Sequence, residues 1–169
     1  LAACDNPEYC RAFAKGIVND AKAAGFNATW GPIIDILYGD GPFKVSRTFS
    51  DDPKRVAELA EVICSVFAEN NFLACGKHYP GCYGHGIDTH MREGFCDFSK
   101  EKIIERNLYP YLRLMEKGIL PSIMVEHTLY PKIDPDYPAS LSKKVIDIIR
   151  ELGFDGVIYT DSFAMMGVL

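Results

Sequence analysis

Apolar residues recur along this chain at two spacings, and the alternation between them predicts its elements. Helical spacing runs from Pro7, behind Asp5 and Asn6 as candidate capping residues, to a stop at Gly25. Ala28 to Leu37 is a short apolar run that ends near a carboxylate, Asp35, and reads as a buried strand. A second helical stretch starts at Asp52-Pro53 and ends near Asn71, and Phe72 to Lys77 reads as the next strand. Ser99 to Lys117 predicts a helix bent at Tyr109-Pro110. Pro121 to His127 predicts a strand, Pro131 to Ser142 a proline-rich loop, and the stretch up to Gly153 a helix. Val157 to Thr160 is a last strand, with Asp161 directly after it.

The pattern is α-β repeated about four times. Every predicted strand is a continuous apolar run and not an alternating one, which implies burial on both faces and a parallel sheet. Each strand ends in a reactive group: Asp35, Lys77-His78, Glu126-His127 and Asp161. Polar groups at the C-terminal ends of parallel strands suit a (β/α)8 barrel and an open doubly wound sheet equally. No glycine fingerprint for a dinucleotide leads from a strand straight into a helix, which favours the barrel. A barrel takes roughly 250 residues, so residues 1–169 are expected to form part of one, with strands missing at both ends, and to be incompetent as an enzyme in isolation.

Composition narrows the function classes. The content is 48% apolar and 24% charged, enough for one substantial core. A net charge of −5 argues against a nucleic-acid partner. No apolar run approaches the roughly 18 residues of a membrane span. Cys4, Cys10, Cys64, Cys75, Cys82 and Cys96 lack framework spacing, so reduced thiols and a cytoplasmic rather than secreted location are expected. Oligomeric state is not legible here.

The densest chemistry lies in Lys77-His78-Tyr79-Pro80-Gly81 and the following Asp88-Thr89-His90, read as a glycine-rich loop between strand and helix. These residues resemble the family 3 glycoside hydrolases, and within them the β-N-acetylglucosaminidase branch, which carries Lys-His-Phe-Pro-Gly and then Asp-Ser-His at a fixed distance. Gly31-Pro32 with Asp35, Ser46-Arg47-Thr48-Phe49, Pro138-Ala139-Ser140-Leu141-Ser142 and Gly153-Phe154-Asp155-Gly156-Val157-Ile158 are similar to other stretches of that family, in the same order. Thr160-Asp161-Ser162-Phe163-Ala164-Met165 resembles the stretch around its nucleophile. There are departures. Cys82-Tyr83 replace the family's His-Gly, Ser162 stands where a second aspartate is frequent, and Glu126 stands where a small residue is common.

The resemblance implies a TIM barrel and a retaining glycosidase that releases terminal β-linked N-acetylglucosamine from cell-wall fragments or similar glycans. It assigns Asp161 as nucleophile, His90 with Asp88 as the acid/base dyad, and Arg47, Lys77 and His78 as groups that grip sugar hydroxyls. No cofactor or metal is implied, and the partner is a carbohydrate. The physics agrees with these roles: residues two apart on an extended segment point the same way, so Asp88 can orient His90 and favour its imidazolium. Glycosidic cleavage needs such an acid together with a nucleophile across the sugar.

Each residue also has a plainer reading. Asp161 can serve as a helix cap, Asp88 as a turn residue, Arg47 as a surface charge, and His85 and His127 as structural histidines. Other functions stay open: a β-glucosidase, a glycoside phosphorylase, a non-catalytic sugar-binding protein, or a zinc site built from Cys82, His85, Asp88 and His90.

Overall fold

The computed structural model describes residues 2–4, 6–38, 47–81 and 93–168. A 3-10 turn, Ala2–Cys4, precedes helix α1, Pro7–Ala23. The Asn6 side chain caps α1 by accepting from Glu8 N, and Cys10, Ala14 and Val18 recur every fourth residue to form its buried stripe. Helix α2, Pro53–Glu69, is capped by Asp52 and buries eight side chains from Val56 to Phe67. It packs between α1 and helix α4, Tyr109–Glu116.

Strands β1 (Gly76–Tyr79), β2 (Ser122–Val125) and β5 (Val157–Thr160) form a parallel sheet in the order β1-β2-β5. On the far side of β1 runs residues 28–33, joined to it by parallel bridges at Ala28–Leu73 and Ile33–Lys77. Among the described residues the order of these segments in space therefore follows their order in sequence. Helix α5, Lys143–Glu151, starts at Ser142, whose hydroxyl accepts from Val145 N. Its Val145, Ile148 and Ile149 face the core, and the Tyr79 hydroxyl donates to Val145 O at 2.6 Å, tying β1 to α5.

Four expectations about the elements are corrected. Residues 28–37 do not form a regular strand. Pro32 lacks an N–H, so the ladder with the next segment is reduced to scattered bonds, such as Ile34 N to Lys77 O at 2.8 Å. The second strand lies later than its apolar run suggested, at Gly76–Tyr79 instead of Phe72 to Lys77, so His78 is a strand residue and not a loop residue. The helix after Ser99 is broken before its proline: Lys100–Lys102 (α3) passes into a π-helical turn, Ile103–Asn107, because Pro110 has no N–H for the Arg106 carbonyl. The segment 131–142 holds part of an antiparallel hairpin, β3 (Leu129–Tyr130) with β4 (Asp134–Pro138), short enough to tolerate two prolines.

Burial on both faces holds for β2, every residue of which is buried, but not for β5. Val157 and Tyr159 are 53% and 40% exposed, on the side of the sheet that also carries exposed Trp30 and Leu73. Trp30 and Tyr159 meet edge to face there, beside a hollow of about 450 Å³ lined also by Ser122. Two glycines of the quoted motifs have clear steric reasons. At Gly156 a Cβ would fall 2.5 Å from Pro121 O, and at Gly81 the backbone sits at φ +89 with Asn107 O only 3.1 Å from a Cβ.

Candidate active site

The parallel ladder decides which side chains meet. Asp161 N donates to Val125 O at 2.9 Å, which continues the β2–β5 register one residue past Thr160 and holds Asp161 at the C-terminal end of the sheet. Its Oδ1 accepts the N–H of Ser162 at 2.8 Å. Its Oδ2 faces His78, with Nε2 at 3.8 Å. That gap is too wide for a direct hydrogen bond, yet narrow enough for one hydroxyl to lie against both atoms.

His78 is held from behind by Asp35, which is fully buried. Asp35 Oδ1 accepts the His78 backbone N–H at 2.7 Å, and Oδ2 lies 2.8 Å from Nδ1. A carboxylate only accepts, so Nδ1 carries the hydrogen and the ring is fixed with Nε2 turned toward Asp161. The sequence presented Asp35 as a strand-ending carboxylate without a role. A charged residue inside the apolar run Ile33-Ile34-Asp35-Ile36-Leu37 was the available signal, because a buried carboxylate demands a partner.

Lys77 is the third group of this cluster. Burial holds its ammonium below the usual lysine range; the Asp161 carboxylate opposes that shift and the Arg47 cation adds to it. Arg47 also lines a cleft of about 650 Å³ with Pro32, Ile33, Thr48 and Phe49. That cleft is walled mainly by apolar side chains, and the titratable cluster, not the volume, marks the candidate site. Thus Asp161, His78, Lys77 and Arg47, named from sequence, share one region. Asp88 and His90 lie outside the described residues, as do Cys82 and His85 of the zinc reading. Among the described residues no group of three or more His, Cys, Asp or Glu side chains could hold a metal ion. Five cysteines are described, and burial pushes the thiol of Cys64 up to about 12. No helix among the described residues is long and apolar enough to cross a membrane.

Glu126 and His127 follow β2 directly and are both buried. Glu126 accepts from the Thr128 hydroxyl at 2.8 Å and from the Tyr130 hydroxyl. Burial, and next the negative charge of Asp35, raise its carboxyl well above the ordinary range, against the pull of those two donors. A group raised in this way keeps its proton in the folded state after the unfolded chain has lost it. Its contribution is therefore present below the unfolded value of 4.5 and is lost as pH rises through the folded value. Glu126→Gln, which cannot ionise, should gain stability relative to the parent as pH goes from 4.5 to 8. Urea unfolding at those two pH values measures this, and an advantage that does not grow with pH would refute it.

The whole chain, residues 1–169, matches the glycosyl hydrolase family 3 N terminal domain. The chain belongs to glycosyl hydrolase family 3. A relative from Bordetella avium (strain 197N), described as a beta-hexosaminidase, is 35% identical over 153 residues, covering 88% of this chain and 42% of its own length. A glycoside hydrolase family 3 beta-N-acetylglucosaminidase from Paenibacillus sp. superposes with a TM-score of 0.91 at 29% identity, over 99% of this chain and 32% of that one. A beta-glucoside phosphorylase, BglX, superposes with a TM-score of 0.89 at 27% identity, over 98% of this chain and 32% of that one. The chain thus spans about two-fifths of the curated relatives it matches.

Proposed function

We propose that this chain is the nucleophile-bearing part of a family 3 catalytic domain that hydrolyses terminal β-linked N-acetylglucosamine with retention. The observation that carries the reading is the placement of Asp161 Oδ2 at the end of β5, 3.8 Å from a histidine held from behind by a buried aspartate. Asp161 attacks the anomeric carbon and expels the aglycone, giving a covalent glycosyl ester that water then cleaves. Arg47, Lys77 and His78 bind sugar hydroxyls, and that binding positions the anomeric carbon against the nucleophile. His90, oriented by Asp88, protonates the leaving oxygen and later deprotonates the water. The sheet, whose strand order follows the sequence, is part of a (β/α)8 barrel in which Val157 and Tyr159 become interior residues.

A second reading, phosphorolysis, is favoured by the likeness to BglX and by a histidine acid/base, which repels an incoming phosphate less than a carboxylate would. Rates of the full-length protein on aryl N-acetylglucosaminide and aryl glucoside, each with and without phosphate, separate the two. Hydrolysis of the N-acetyl substrate, independent of phosphate, is the expected result. A glycosyl phosphate product would overturn it.

The dyad has its own test. Asp88→Asn and His90→Ala should each slow substrates with poor leaving groups about a hundredfold or more, and activated aryl glycosides far less, because only the former need protonation. The double variant should be little worse than the poorer single one. Equal losses on both substrate types would remove the pair from this role.

A further inference from the structure

We infer that His127, which has no place in the chemistry above, is a positioning residue that sets the plane of the Asp161 carboxylate through Ser162; this rests on the reading of Asp161 as nucleophile. His127 is fully buried two residues past the end of β2. Because Asp161 N is bonded to Val125 O, the segments leaving β2 and β5 run side by side, and the imidazole reaches the residue after Asp161. Nε2 lies 3.0 Å from Ser162 O. A carbonyl oxygen only accepts, so Nε2 carries a hydrogen and donates it.

The ring is itself held. Nδ1 lies 2.7 Å from the hydroxyl of Ser140, which is also buried, and in the neutral ring it accepts that hydroxyl's hydrogen. The ring stacks on Phe163, with centroids 5.8 Å apart and an interplanar angle of 28°. Ser140 is fixed in turn: Ala139 N donates to Thr128 O at 2.9 Å, and Ser142 caps α5 while donating to Asp134. The motif Pro138-Ala139-Ser140-Leu141-Ser142 therefore gains a physical purpose, as an anchor for His127.

The consequence reaches the carboxylate in one step. Ser162 is gripped at its carbonyl by His127 and uses its N–H to hold Asp161 Oδ1 at 2.8 Å. Two bonds on one residue fix its backbone, and with Oδ1 occupied, Oδ2 is the oxygen left facing His78. Without His127 the Ser162 peptide can turn and carry the carboxylate off the line of attack. A misplacement of about 1 Å costs on the order of a hundredfold in rate.

The test uses the full-length protein with His127→Phe, which keeps the ring stack but loses both nitrogens, and Ser140→Ala, which frees Nδ1. On an activated aryl glycoside, kcat should fall about thirtyfold for His127→Phe and about fivefold for Ser140→Ala, with KM within twofold of the parent. A crystal structure of His127→Phe should show the Ser162 N to Asp161 Oδ1 bond broken or the carboxylate rotated. An unchanged kcat, or a loss confined to KM, would overturn the inference. So would a crystal structure in which the carboxylate keeps its place. If the parent cleaves no glycoside, the proposed function falls, while the carboxylate's orientation still decides the role of His127. Should His127→Phe not fold, the same measurements on Ser140→Ala decide.

Discussion

Asp161→Asn should lose at least about a thousandfold in kcat on aryl N-acetylglucosaminides while remaining folded. The expectation combines two facts about one side chain. Its Oδ1 accepts from Ser162 N at 2.8 Å, a bond that the amide oxygen of asparagine can also accept, so the local backbone survives. Its Oδ2 is the oxygen that faces His78, and an amide nitrogen in that place has no nucleophilic electron pair to form the proposed ester. Removal of a covalent nucleophile generally costs this much or more, because the two-step route disappears with it. Asp161→Ala should match it in rate loss and add only about 1 kcal/mol of destabilisation, the usual cost of losing a short capping bond. A fluorinated glycoside that traps the glycosyl-enzyme, followed by peptide mapping, should label Asp161. A label on any other residue would end the assignment.

Asp35 should show the second large effect, and it separates stability from catalysis. Asp35→Ala removes the acceptor for two buried donors of His78, its backbone N–H at 2.7 Å and its Nδ1 at 2.8 Å. Leaving such groups unsatisfied should cost about 2–5 kcal/mol, measurable by urea unfolding. Asp35→Asn is the more informative change. Its single oxygen can accept from the backbone N–H, which turns its amide nitrogen toward Nδ1 as a donor. Nδ1 must then accept, and the ring hydrogen moves to Nε2, facing Asp161. The nucleophile would be hydrogen-bonded by the group that should receive a sugar hydroxyl, and kcat/KM should drop about a hundredfold with little change in unfolding midpoint. Ring nitrogen shifts of His78 would report the change of tautomer. Activity within twofold of the parent would mean that the Asp35–His78 pair serves the fold alone.

How much of this was legible in the sequence depended on how far apart the interacting residues are. Helix α1 and helix α2 start where Asn6-Pro7 and Asp52-Pro53 predict, because a cap and a proline act within one turn. β5 coincides with its apolar run, Val157 to Thr160, and so places Asp161 at a strand end. The strand at residues 28–37 failed for a reason that apolar periodicity does not record: Pro32 has no N–H to give the ladder. The hairpin of β3 and β4 was missed because Pro135 and Pro138 read as loop residues, although an isolated pair of short strands can accommodate them.

The sequence by itself determined the alternation of helix and strand and a parallel sheet. It also identified the residue types brought together at the sheet's C-terminal end. These follow from local spacing and from the reach of single side chains. Only the tertiary structure decided that Asp35 holds His78, across 43 residues of chain, and that His127 bridges Ser140 and Ser162. It also decided that Glu126 is buried beside the charge of Asp35. Such pairings are set by strand register, by which residue stands opposite which once the ladders form. Register is settled when the buried faces of neighbouring strands pack and their connections close, so the apolar pattern of one strand constrains it without naming the partner residue.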